Sequence, residues 1–159
     1  MRWAELDWSE EVWRIPSART KTQTAQELPL SPQALIILES LPRLQSDLVF
    51  PARARDAPIS GWSKWKNELD EASGVQGWRV HDIRRTVATG MAGIKVNHLI
   101  IERVLNHKIG GIAAIYNRFA YTDEKRAALE CWAQRVSEVC GCFEGKNYGN
   151  AQDHQTAPH

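Results

Sequence analysis

Residues 80–104, "VHDIRRTVATGMAGIKVNHLIIERV", constrain the fold more than any other stretch. Ile83, Val87 and Met91, with Ile94 just beyond, recur at helical spacing and make one apolar stripe. Gly93 is placed to end that helix. Asn97 is then a good N-cap for a second one, "HLIIERVLN", with Val96 and Ile101 set as a hydrophobic staple. The middle of the chain is thereby committed to short amphipathic helices joined by a tight turn.

The flanks extend this pattern. Ser31 before Pro32 predicts a helix start, running through "PQALIILESL" to about Pro42. "GWSKWKNELDEASG" reads as a polar helix closed by Gly74. "DLVF" reads as a short extended segment, and "PARARDAPIS" as a Pro-containing basic loop. After a break at Gly110-Gly111, "IAAIYNRF" reads as a short helix. Thr122 is placed to cap a final helix, with Asp123 and Glu124 at its positive end. Leu129, Trp132, Ala133, Val136 and Cys140 share a face of that helix.

Residues 1–30 differ. "WAELDW" and "EVWRIP" are short apolar-rich runs separated by an acidic turn, and "ARTKTQTAQELPL" has a polar tip between two extended segments. A small antiparallel sheet with a hairpin carrying Lys21 follows. The expected class is α+β, mainly helical, with this N-terminal sheet packed on a helical bundle. The last residues, 143–159, are polar and predicted to be a disordered tail.

Composition removes several classes of function. No window is long and apolar enough to span a membrane. The acidic, Trp-rich start is no secretory signal. The three cysteines, Cys131, Cys140 and Cys142, form no CxxC pair, which argues against a disulfide framework or zinc site and fits a reducing cytoplasm.

With 20 Lys and Arg against 19 Asp and Glu, total charge says little about partners. Its distribution says more. Arg79, Arg84, Arg85, Lys95, Arg103 and Lys108 fall between Trp78 and Lys108, against Asp82 and Glu102, with His81, His98 and His107. A basic stripe on helices suits a phosphate partner; a solvated face is the plainer alternative.

His81 and Arg84 are three apart, so they share a helix face. A guanidinium offers a planar fork to two phosphate oxygens, and histidines can donate to the same oxygens or move protons. Lys21 at a hairpin tip could protonate a leaving oxygen. Tyr116 could act as nucleophile if nearby cations favour its phenolate. Few acids and no metal-ligand group point to metal-independent phosphoryl transfer on a diester.

"HDIRRTVAT", "IERVLNHKIGGIAAIYNRF" and "EKRAALECWAQRV", in this order, resemble the catalytic domain of the tyrosine recombinases, the phage-integrase family. "WAELDW…EVWRIPSARTKTQTAQELPLSPQAL" resembles that family's sheet and lysine-bearing hairpin. The resemblance implies that His81 and Arg84 are the family's H-x-x-R pair, Lys21 its hairpin lysine and His107 its second histidine. Tyr116, nine residues after His107, is then its nucleophile, with Tyr121 as the rival. Arg85, Lys108 and Arg118 are expected to bind DNA, and His98 to be a surface group.

The implied activity is site-specific DNA cleavage and rejoining through a 3′-phosphotyrosine, without metal or other cofactor. The implied partners are double-stranded attachment sites and copies of the chain itself, in a tetramer whose final helix docks on a neighbouring protomer. The family has a further arginine ahead of the first strand, in a pattern like G-x-R-x-x-E. Arg2 lies too close to the strand to be that residue. Residues 1–142 are therefore expected to be a partial catalytic domain with one arginine of the clamp absent, a loss that at a charge-stabilising site costs about 10²–10³ in rate. Two other readings stay open: a helix-turn-helix module that binds DNA without chemistry, and a folded but inactive integrase remnant.

Overall fold

The computed structural model describes residues 1–52, 55–107 and 119–141. The chain opens with a single 3₁₀ turn, Trp3–Glu5, where the sequence suggested strand, and only Leu6–Asp7 pair as β1. Strands β2 (Val12–Ile15) and β3 (Gln26–Pro29) complete a three-stranded antiparallel sheet in the order β1-β2-β3. Its register sets Trp13 opposite both Leu6 and Leu28. The Asp7 carboxylate ties the β1–β2 turn by accepting from the Ser9 hydroxyl at 2.7 Å and the Glu10 amide at 3.0 Å.

Helix α1 (Pro32–Ser40) starts as predicted, with the Ser31 hydroxyl accepting from the Ala34 amide. It packs Leu38 against Leu6, Leu30 and Val49, with Trp3, Trp8 and Trp13 around them, to form the first core. Arg43 lies over the Trp3 ring at 3.7 Å and covers this cluster.

Residues 51–52 and 55–58 are strand rather than loop. Strands β4 (Pro51–Ala52) and β5 (Arg55–Pro58) pair antiparallel, with Pro51 opposite Pro58. A two-stranded ribbon has no interior strand, so proline costs it little at these positions. Helix α2 (Trp62–Ser73) ends at Gly74 with φ of 70°, as expected. None of its residues is buried, and Trp62, Trp65 and Leu69 are each at least half exposed. Lys66 pairs with Asp70 and lies over the Trp78 ring.

The second core lies among helices α3 (Val80–Gly93), α4 (His98–Val104) and α5 (Thr122–Cys140). Met91, Ile100, Ile101, Val104, Leu105 and Ala128 are buried there, with Leu28 of β3, Val87, Val96, Leu129 and Trp132 packed around them. Strand β3 thus reaches the second core through Leu28, and Leu30 just after it belongs to the first. No described helix is long and apolar enough to cross a membrane.

Several details depart from expectation. The α3 stripe is buried at Met91 and partly buried at Val87, and Ile83 is 54% exposed. Gly93 is the last residue of that helix, as expected. Lys95 takes the left-handed conformation (φ 64°), and the Lys95 and Val96 amides donate back to Ala92 and Met91. This is a Schellman motif with lysine where glycine usually stands.

Thr122 is the first residue of α5, not its cap. The cap position is Tyr121, left-handed at φ 52° and without a side-chain capping bond. Cys140 is exposed, whereas Lys125, Ala128 and Ser137 are the buried residues of α5. The face assigned to a neighbouring protomer, with Leu129 and Trp132, packs here on the chain's own α3 and α4. The expected helix over "IAAIYNRF" and the tail at 143–159 lie outside the described residues.

Candidate functional site

His81 and Arg84 stand in the first turns of α3, and both are exposed. At 100° per residue, Arg84 falls on the same helical stripe as Ala88 and Met91. The stripe that is fully buried at Met91 therefore emerges past the core at Arg84 and His81. Neither side chain makes a hydrogen bond or ion pair among the described residues. Their donors are open to a ligand.

Arg85 differs. It pairs with Asp82 at 2.9 Å. Asp82 also accepts the Arg79 amide at 2.9 Å, capping the helix start. That backbone bond, with the charge of Arg85, holds the Asp82 carboxyl below the usual range. Part of the positive charge expected to meet DNA at Arg85 is thus met within the helix.

His107 sits directly after α4. That helix ends in a second Schellman motif: Asn106 is left-handed (φ 52°), its amide donates to Arg103, and the His107 amide donates to Glu102 at 3.0 Å. Asparagine tolerates this backbone better than most residues. The Glu102 carboxylate then meets His107 Nδ1 at 2.8 Å, which leaves Nε2 as the outward nitrogen. His98 is on the surface as expected, 86% exposed, with Nε2 4.0 Å from the other Glu102 oxygen. Glu102 is a contact that the sequence reading passed over. Its five-residue spacing from His107 makes sense only once the helix ends where it does.

Lys21 is exposed at the tip of the β2–β3 hairpin. Thr20 organises the tip: its hydroxyl donates to Thr24 O at 2.8 Å and accepts the Thr24 amide at 3.1 Å. One stem is anchored by Arg19, which pairs with the buried carboxylate of Glu5. Burial alone would raise the Glu5 pKa. Hydrogen bonds from the Trp13 indole, Arg19 and the Arg2 amide outweigh it and bring it below its ordinary value.

Tyr116, Lys108 and Arg118 lie outside the described residues. Tyr121, the rival nucleophile, is half-buried in the second core. Its ring meets Phe119 edge-on at 4.9 Å, and the Arg103 guanidinium lies 5.9 Å away. Among the described residues, Lys21, His81, Arg84 and His107 do not bond to one another. They stand on three elements joined through the second core and β3.

Residues 1–123 match the model of the phage integrase family. Prophage integrase IntA of Escherichia coli (strain K12) is 31% identical over 140 residues, covering 85% of this chain and 33% of that protein. The integrase of Enterobacteria phage P4 is 27% identical over 156 residues, with 83% and 34% covered. Prophage integrase IntZ of E. coli K12 is 27% identical over 143 residues, with 87% and 35% covered. The chain thus spans about a third of the length of the curated relatives it matches. No solved structure gives a significant match. The family model takes in Lys21, His81, Arg84, His107 and Tyr116 together, and the chain belongs to the phage integrase family.

Proposed function

We propose that this chain carries the DNA-cleaving centre of a site-specific recombinase, with Tyr116 as nucleophile. The phenolic oxygen of Tyr116 attacks a DNA phosphorus, the bond to the 5′-oxygen breaks, and a 3′-phosphotyrosine forms. Arg84 and His81 donate to the non-bridging oxygens, where negative charge grows. His107 holds or moves a proton through its outward nitrogen. Lys21 delivers a proton to the departing 5′-oxygen. A 5′-hydroxyl of a second strand then reverses the step, and the phosphotyrosine conserves the bond energy.

The observation that carries this reading is the Arg84–His81 pair. Two cationic or donor side chains share one face at the edge of the core, with no partner among the described residues. The packing of Tyr121 supports Tyr116 as the reactive tyrosine. Helix α4 gives little support to a helix-turn-helix reader, because Ile100, Ile101 and Val104 are spent in the core and Glu102 faces histidine. DNA contacts from Lys108 and Arg118, and a tetramer on two attachment sites, belong to the same proposal.

A nicked suicide DNA substrate tests it. A covalent adduct on a denaturing gel that disappears in Tyr116→Phe supports the reading. An adduct that survives in that variant and disappears in Tyr121→Phe moves the nucleophile to Tyr121. Binding without an adduct, in this chain and in a full-length integrase carrying it, makes the chain a DNA-binding module.

A further inference from the structure

Lys125 is a buried charge on α5, the helix that closes the second core. Its side chain lies in the first turn of α5, and the residue is only 4% exposed. A buried ammonium loses hydration, and a cation in the first turn of a helix opposes the helix dipole. A methionine would fill the same space without either cost. Burial, helped by Arg103 and opposed by Glu27, pushes its pKa down.

What Lys125 gains is one bond: its ammonium donates to the Glu27 carbonyl of β3. The neighbouring residue of that strand makes a matching contact on the other side. Gln26 Nε2 donates to the Arg103 carbonyl at 3.1 Å and to the Val104 carbonyl at 3.3 Å. A primary amide has two N–H groups, so it can serve both acceptors at once. These carbonyls belong to the last turn of α4, three and four residues before His107.

The chain leaves α4 through His107 and enters α5 through Tyr121. The first two residues of β3 therefore grip both stems of the segment that contains Tyr116. The same strand continues the hairpin that carries Lys21.

We infer that Gln26 and Lys125 are positioning residues, which fix the two stems of the Tyr116 segment, and His107 with them, relative to the Lys21 hairpin. The inference rests on the proposed strand-cleavage chemistry for its catalytic consequence only. The structural grip is testable without it. Placement errors of about 1 Å at a reacting centre can cost on the order of 10²-fold in rate, so two side-chain bonds at the stems suffice to matter.

The test uses Gln26→Ala and Lys125→Met in the 159-residue chain, with two readouts. Amide hydrogen exchange reports the stems, residues 104–107 and 121–126, against α3. Single-turnover cleavage of the nicked substrate reports the chemistry, as the rate at saturating DNA and the DNA concentration giving half that rate.

The expected result is faster exchange at the stem each variant releases, with α3 unchanged. Cleavage at saturating DNA falls about tenfold, while half-saturation stays within about twofold. Where the wild-type chain forms no adduct, cleavage is read in a full-length integrase carrying it; no adduct there counts against the chemical reading, and exchange alone then decides the positioning claim. Unchanged exchange at the stems overturns the inference. So does faster exchange spread through α3 and the sheet, which is general destabilisation. So do loosened stems with an unchanged cleavage rate.

Discussion

Gly90 of α3 and Trp132 of α5 are fitted to each other. A methyl group built at Gly90 would lie 2.1 Å from Cζ3 of the Trp132 ring and 2.3 Å from Cη2. The absence of a side chain at one position is what seats the indole at the other, and this contact sets α5 against the helix that presents His81 and Arg84. Gly90→Ala therefore destabilises the fold by about 1–3 kcal/mol through overpacking, although alanine is the better helix former. Trp132→Ala costs about 3–5 kcal/mol through the cavity it leaves. Urea denaturation measures both. In the Gly90→Ala/Trp132→Ala double variant the losses are less than additive, because the clash is gone. Strict additivity would show that the two positions do not meet.

Lys95 offers the opposite case, a residue whose replacement helps. It holds the left-handed position of the Schellman motif after α3 with a φ of 64°. A β-carbon there costs about 1–2 kcal/mol relative to glycine. Lys95 is exposed, and its side chain makes no hydrogen bond or ion pair among the described residues. Lys95→Gly is expected to raise stability by about 1 kcal/mol, read as a higher urea midpoint with an unchanged slope. An unchanged or lower midpoint would show that the turn does not hold this conformation in solution.

How much of this was legible in the sequence follows from the range of each interaction. The Ser31 and Asn97 caps and the Gly74 terminus depend on residues within one turn, and they stand where the sequence puts them. The β2–β3 hairpin is equally local. The left-handed turns at Lys95 and Asn106 were not legible, because lysine does not favour that backbone and asparagine only tolerates it. Helical period placed Ile83 with the core stripe, but period cannot say where the core stops. Lys125 is the clearest failure. Lysine reads as solvent-facing in any pattern, and only the contact with β3 shows why it is buried. His81, Arg84, Lys21 and His107 are candidates from residue type, spacing and the family resemblance, whereas the contacts of Glu102, Gln26 and Glu5 needed the three-dimensional arrangement.

Acid should loosen the lysine hairpin through Glu5. Its carboxylate is buried and accepts from Trp13, Arg19 and the Arg2 amide, and these bonds hold its pKa below the ordinary carboxylate value. A depressed carboxyl contributes stability that is present above the unfolded pKa and lost as pH falls through the folded one. Glu5→Gln is expected to cost about 1–3 kcal/mol near pH 7. The gap between wild type and variant should then shrink below about pH 4.5. Asp7 titrates later, at about 2, held down by Ser9, the Glu10 amide and Arg14. The corresponding loss for Asp7→Asn continues to lower pH. Denaturation midpoints between pH 7 and pH 2 separate the two. A gap for Glu5→Gln that stays constant across this range would mean that the carboxylate is not stabilised in the folded state.

Glu102 should matter to His107 rather than to the fold. Its carboxylate receives Nδ1 at 2.8 Å and so fixes both the ring orientation and the nitrogen left for a ligand. Glu102→Ala frees the ring and is expected to slow adduct formation on the nicked substrate about tenfold. Glu102→Gln keeps an acceptor without the charge and should lie between that variant and wild type. His98, 4.0 Å from the other oxygen and 86% exposed, serves as the internal control. His98→Ala should cleave at the wild-type rate. Equal slowing by Glu102→Ala and His98→Ala would point to a general charge effect on DNA binding. Equal rates for Glu102→Ala and wild type would show that the bond to His107 has no part in the chemistry.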